Sequence, residues 1–401
     1  MDIEEIELLP RSRLDSGLVR QFTVPGSRTR ITQITTFCPD VIGPGPTNLY
    51  LIDGQALILV DAGMPTYLAK MFFYQWRNQT MPGRIADLPA DHSEQEFNQG
   101  MAVAGHPVSD LDLLVISHGH PDHFLMARRI LDQCNARVAA HILDTPSICN
   151  PWGMLHMWFS RQKQMTSTGM PPARSPEELM GEDLLRGLDL DSLGVSIKVD
   201  TPVFRDGPLP LGGRAAEGIE VIHLPGHSPG SIGLIVGNEP DRKILICGDV
   251  LLNPITPHPD DLLVYLQTVD ALSQREDIAL VLPAHGRTIR NLKARTAFLR
   301  EHHRHRLELT FDACKFPRCV WDVATMPDYF DTYVDPRKFN FLAGLEALVH
   351  LEILNMAGGL HRTHIKDQVH YFQNSGEPFD QVYERVEALV TDKGSRALMR
   401  C

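Results

Sequence analysis

Between Ser117 and His123 the chain reads Ser-His-Gly-His-Pro-Asp-His, which puts three imidazoles and a carboxylate within six residues. Neutral imidazole and carboxylate are the ligand types of zinc and similar first-row divalent ions. Three more candidates follow apolar runs: His227 after IEVIHLPG, Asp249 after KILICG and His285 after IALVLPA. Strand ends would fix the backbone at each point and let the following turns fan these side chains around one centre. Five histidines and two aspartates are more than one tetrahedral ion accepts, so the pattern predicts two divalent ions. Zinc is the expected metal, with iron and manganese as alternatives. Such a pair lowers the pKa of a shared water, giving a bridging hydroxide at neutral pH, and can take up charge developing on a carbonyl oxygen. Asp122 and Asp249 are the catalytic candidates among the ligands, because they neutralise the cations while leaving coordination positions open. The sequence has no cysteine in a motif with a nearby histidine and no glycine-rich phosphate loop. Hydrolysis by activated water is the predicted chemistry.

The elements that must carry these residues alternate between strand and helix. ITQITTF, TNLYLID and ALILVDAG read as short strands with a turn at Gly54, and LDLLVIS is a buried strand leading directly into the His/Asp segment. MARRILDQC is helical, RVAAH is strand-like, and strands resume at IEVIHL, SIGLIV, KILICGD and IALVLPAH. This is an α/β pattern. Past Arg290 strand signals fade and FLAGLEALVHLEIL has helical spacing. Residues 145–200 also lack strand signal until their end. They carry Trp152, Met154, Trp158, Phe159 and Met165, and we read them as a largely helical cap. Met154, Trp158 and His258 are the candidate pocket residues. The predicted division is a catalytic domain at 1–297 and a mainly helical domain at 298–401. His302, His303 and His305 read as part of a charged helical face, with His361 and His364 in the tail.

HGHPDH, GHSPGS, CGDV and PAHG, in this order, resemble the metallo-β-lactamase superfamily over roughly residues 31–297. The resemblance implies an αββα sandwich with the metals at one edge of its two sheets. It also implies that His118, His120 and His227 hold one ion, that Asp122, His123 and His285 hold a second, and that Asp249 bridges them. Asp61 in VDAG matches the family's buried aspartate behind the metal loop. The segment between Asp61 and His118 and the region 145–200 are both expanded. The tail loosely resembles a winged-helix-like appendage of one hydrolase branch.

Composition narrows the substrate. The 401 residues carry a formal charge of −12, the wrong sign for coating phosphates. The tail from 290 is nearly balanced, with 16 basic and 15 acidic residues. Nucleic acid is therefore not the expected partner. No apolar run approaches the length of a membrane helix, and the acidic start lacks a secretory pattern. A cytoplasmic protein acting on a small molecule is expected, and a homo-oligomer is compatible with the sequence. Seven scattered cysteines without a CxxC pair do not suggest a disulfide framework. The expected substrate is a thioester or carboxylic ester with an apolar acyl group. Lactone or β-lactam ring opening and phosphodiester or RNA cleavage are the alternatives.

Overall fold

The apolar strands are buried on both faces, so successive side chains must enter two different cores. The computed structural model describes residues 3–39, 44–70, 83–150, 165–171, 196–211, 214–338, 340–364 and 369–392. An eight-stranded sheet runs in chain order through β1 (Glu5–Leu9), β2 (Val19–Thr23), β3 (Arg30–Thr36), β4 (Thr47–Asp53), β5 (Leu57–Val60), β6 (Leu113–Ile116), β7 (Arg137–His141) and β8 (Thr201–Val203). Neighbours from β1 to β5 are antiparallel, and those from β5 to β8 are parallel. A second sheet has the order β13-β12-β11-β10-β9, built from β9 (Gly207–Leu211), β10 (Arg214–His223), β11 (Ile232–Val236), β12 (Lys243–Ile246) and β13 (Ile278–Leu282).

Alternation along β6 shows how the layers form. Leu113 and Val115 join Ile58, Val60, Val221, Leu234 and Ile244 in the core between the sheets. Leu114 and Ile116 turn the other way, to Phe97 and Met101 of α1 (His92–Ala104), Phe124 of α2 (Pro121–Phe124) and Ile130 of α3 (Ala127–Leu131). On the far side, Ile235, Leu245 and Val281 pack against α5 (Leu262–Ser273) and α6 (Leu292–Ala313), which follow the short α4 (Thr145–Cys149) in the chain. The result is an α/β sandwich in the αββα order.

The expected boundary at 298 falls inside α6. Beyond it come α7 (Val320–Ala324), α8 (Phe341–Met356) and α9 (Phe379–Thr391), and their apolar faces join the same core as α5. The tail also holds a small sheet of β14 (Arg318–Cys319), β15 (Leu360–His364) and β16 (His370–Asn374) that the sequence reading lacks. Polar runs such as LHRTH give no hydrophobic alternation; cross-strand pairing makes them strands. For the same reason the mostly exposed β1 escapes a reading by apolar pattern. The described cysteines are free thiols, and no described helix is long and apolar enough to cross a membrane.

Two contacts bring the sheets together at the metal edge. Tyr50 Oη and Asn48 Nδ2 of β4 donate to the Pro283 carbonyl after β13, at 2.7 and 3.0 Å. The turn carrying His227 packs against α5, where Gly226 has φ +121°. A Cβ at Gly226 would lie 2.3 Å from Tyr265 Cα and 2.4 Å from Tyr265 N, which are backbone atoms of a helix. Gly226→Ala is therefore expected to lower the thermal midpoint and displace His227, because neither the φ nor the space suits a side chain. An unchanged midpoint with unchanged metal binding would show that the turn can yield.

Candidate metal centre

Each candidate ligand leaves the sandwich where a strand ends. His118, His120, Asp122 and His123 follow β6, and the chain turns there into α2, with Pro121 at its start. His227 follows β10, Asp249 follows β12 and His285 follows β13. All are buried except His120, which is half-buried.

The ligand atoms of His118, His120 and His227 lie within 4.8 Å of one another, as do those of Asp122, His123 and His285. A further group joins His118 and His123 to Asp249. Asp249 lies between the two clusters: its Oδ2 is 3.6 Å from His227 Nε2 and 3.7 Å from His123 Nε2, and its Oδ1 is 3.5 Å from His285 Nε2.

The outer partners fix the imidazole tautomers. His227 Nδ1 donates to the His258 carbonyl at 2.7 Å, and His285 Nδ1 donates to the Pro46 carbonyl at 3.0 Å. His123 Nδ1 donates to Asp61 Oδ2 at 2.9 Å. Ser117 Oγ gives its proton to Asp61 at 2.8 Å and so accepts from His118 Nδ1 at 3.0 Å. With the proton on Nδ1 in all four, four Nε2 lone pairs face inward. Nε2 of His118 and His227 are only 3.2 Å apart, and His120 Nδ1 is 3.0 Å from each. Among the described residues His123 Nε2, His285 Nε2, Asp122 Oδ2 and Asp249 Oδ1 are buried without a hydrogen-bond partner. Lone pairs facing each other repel, and a buried acceptor without a donor is costly. A cation among them turns every one into a ligand, so the donor set fits divalent metal.

The charges point the same way. Burial pushes His118 well toward the neutral, ligating form and takes His227 down to about 4. Burial alone would raise the two carboxyls, but His123 and His285 outweigh it and hold Asp122 low and Asp249 well below its usual range. Burial also opposes charge on His123 and His285. The carboxylates of Asp122 and Asp249, joined at His123 by Asp61, override it and draw positive charge to those nitrogens. A divalent ion supplies that charge.

Asp144 was not visible as a site residue. It stands just before α4 in the Asp-Thr-Pro context of a helix cap, yet its side chain makes no cap. It accepts instead from Gly119 N at 2.8 Å, Ser228 Oγ at 2.7 Å and Gly230 N at 2.8 Å, tying the two metal-ligand turns together. His258 backs the site through its carbonyl, which accepts from the outer nitrogen of His227, while its side chain contacts Glu346 Oε2 at 2.9 Å. Met154 and Trp158 lie outside the described residues, as does most of the expected cap. His303 is not on a charged surface face. It is fully buried between α6 and α8, with His303 Nδ1 3.1 Å from His350 Nε2.

Two buried His/Asp clusters at the edge of an αββα sandwich define a candidate metal centre with two subsites. A family model of the metallo-beta-lactamase superfamily matches residues 42–309, well over half the chain, and the chain belongs to that superfamily. A curated relative, "Probable metallo-hydrolase YqjP" of Bacillus subtilis (strain 168), is 26% identical over 270 residues, covering 64% of this chain and 72% of the relative. Among solved structures, a metallo-beta-lactamase family protein from Thermus thermophilus aligns with TM-score 0.62 at 18% identity, covering 86% of this chain and 98% of that one. A beta-lactamase domain protein from Burkholderia ambifaria aligns with TM-score 0.60 at 22% identity, covering 90% and 95%. These two likenesses establish the fold.

Asp144→Asn would remove the charge and set an amide donor in place of one of the two acceptor oxygens, against at least one of the three donors, so it should cost about 2 kcal/mol of stability and weaken metal retention. Denaturant melts with chelator competition check this, and wild-type values for both would mean the carboxylate is dispensable. The low pKa of His227 has a signed consequence. The unfolded imidazole titrates at about 6.5 and the folded one at about 4. Its contribution to stability is therefore complete above about pH 6.5 and is lost as pH falls toward 4. The urea midpoint of chelated protein should fall over that window, and a His227→Gln variant should fall less. Equal slopes would contradict the assignment.

Proposed function

We propose that the chain is a dinuclear, zinc-type hydrolase acting on the carbonyl of a thioester or carboxylic ester with an apolar acyl group. The observation that carries the dinuclear reading is the meeting of two ligand clusters at Asp249, whose two oxygens face different histidines. His118, His120 and His227 would hold one ion, and Asp122, His123 and His285 the other. When bound, such ions activate water for nucleophilic attack at neutral pH and stabilise negative charge on a carbonyl oxygen.

The protein's own groups do the positioning. Asp61, Pro46, His258 and Ser117 hold the imidazoles with Nε2 turned inward, so little reorganisation is needed when charge develops. The acyl preference rests on the formal charge of −12, which disfavours polyanions, and on the apolar residues of the 145–200 segment, Met154 and Trp158 included. The tail is read as support for the pocket wall or for an interface, and the protein as cytoplasmic.

A hydrolysis screen on metal-analysed protein should cover p-nitrophenyl esters, acyl-coenzyme A thioesters, lactones, β-lactams and RNA. We expect the highest kcat/KM on the esters or thioesters; a lactone, lactam or RNA in that place would replace the substrate assignment. Asp249→Ala should lower both metal content and kcat/KM, the latter by more than about a hundredfold, because residues that merely orient ligands are typically worth ten to a hundred. Near-normal turnover in that variant would remove Asp249 from the site.

A further inference from the structure

His227 is aimed by a backbone carbonyl, and that carbonyl belongs to a residue held by the C-terminal region. His227 Nδ1 donates to the His258 carbonyl at 2.7 Å, which turns Nε2 toward His118 and His120. The loop containing His258 is tied down on both sides. Arg295 of α6 donates to the carbonyls of Pro254 and Ile255, and the amides of Asp260 and Asp261 donate to the Gly226 carbonyl at 2.8 and 3.1 Å. Between these ties, the His258 side chain places Nδ1 2.9 Å from Glu346 Oε2. Glu346 lies on α8 and is only 5% exposed. A carboxylate so buried is costly without a partner, and His258 faces it from the catalytic side. The rest of its surroundings is ordered too. His350 Nδ1 donates to the Glu346 carbonyl at 2.6 Å, so His350 Nε2 accepts from His303 Nδ1 at 3.1 Å. The nearby Arg306 guanidinium lies over the rings of Tyr329 and Phe330, 4.9 Å from each centroid.

We propose that Glu346 is a positioning residue through which the C-terminal region sets the three-histidine end of the metal centre: it holds His258, and the His258 carbonyl orients His227. The proposal rests on the reading of His118, His120 and His227 as one metal subsite. Glu346 touches neither substrate nor ion. Its effect is local, because His123 and His285 are oriented by Asp61 and Pro46, which the C-terminal region does not contact through this chain of bonds. Disturbing Glu346 should therefore loosen one ion and spare the other.

The test compares full-length wild type, Glu346→Gln and Val386→Ala. Gln keeps the volume at 346 and removes the charge, whereas Val386 is a fully buried residue of the tail core. Each protein is loaded with zinc, titrated with a chelator and melted with and without metal. A cobalt-loaded sample reports the ligand field. In Glu346→Gln we expect one of two ions to be released about tenfold more readily, the second to keep wild-type affinity, and the cobalt spectrum to change. Val386→Ala should lower the melting temperature while leaving both affinities and the spectrum unchanged. Wild-type affinities and spectrum in Glu346→Gln would overturn the proposal, as would equal loosening of one ion in Val386→Ala. Loss of a third ion equivalent in Glu346→Gln would also overturn it, and would mark His302, His303 and Glu346 as a metal site in their own right. If wild type retains no ion at all, the metal-subsite reading itself fails, which is a different result from two ions with an indifferent Glu346.

Discussion

The carboxylate of Asp61 is the constraint on which the metal edge depends. It leaves β5 with φ +62°, a left-handed conformation that costs a non-glycine residue about 1 kcal/mol or more. Its oxygens compensate by accepting from Ser117 N at 2.7 Å, Ser117 Oγ at 2.8 Å and His123 Nδ1 at 2.9 Å. One buried side chain thereby joins the ends of two parallel strands and the first turn of α2. It settles the tautomer of His123 directly and that of His118 through Ser117. Hydrogen bonds to a charged acceptor are worth about 1.5–3 kcal/mol each, and removing the acceptor would strand three buried donors.

Asp61 works within the first sheet and its loop; Asp144 performs the corresponding task across the sandwich. Gly119 follows the first sheet, whereas Ser228 and Gly230 follow the second, and a single carboxylate receives donors from both. Burial raises the pKa of Asp144, and its three donors work against that rise. On the other side of the site, Asn48 and Tyr50 bind the Pro283 carbonyl just before His285. The two sheets are thus held at the metal edge by directional bonds, while the apolar core behind them sets only their spacing. That division suits a site in which a displacement of 1 Å would separate a ligand from its ion.

Strands β3–β7 and β10–β13 and the seven candidate ligands that follow some of them were legible because each signal is local, whereas β1, β2, β8 and β9 carry too weak an apolar pattern to be read. An apolar run followed by His or Asp marks both the strand and the side chain that leaves its end. Asp61 was legible only through its match to a motif, since an aspartate after a strand otherwise reads as a turn residue. Asp144 was hidden by a competing local signal: Asp before Thr-Pro looks like a helix cap, and only the tertiary structure sends its oxygens elsewhere. His303 reads from sequence as part of a charged helical face and Glu346 carries no signal of its own; their burial arises from packing between α6 and α8. The hairpin of β15 and β16 was invisible because its side chains are mostly polar. Apart from that hairpin, what escaped among these residues was a property of pairs of elements distant in sequence.

The orienting groups of the imidazoles come from separate places. Asp61 ends β5, Pro46 precedes β4, Ser117 ends β6 and His258 belongs to the loop after Asp249. No single element can therefore assemble the site, and the full set of ligands is gathered only when the sandwich has closed. Metal affinity and folding are linked by that arrangement, because an ion that binds the assembled state and ignores the open chain stabilises the fold by mass action. The same logic runs in reverse for the protein alone. Inward lone pairs at 3.0–3.2 Å are a local cost that the surrounding hydrogen bonds and core must offset. The sandwich spends part of its stability holding donors that repel one another, and a divalent ion converts that repulsion into attraction. The geometry that makes the centre expensive to fold is the geometry that makes it selective for a cation.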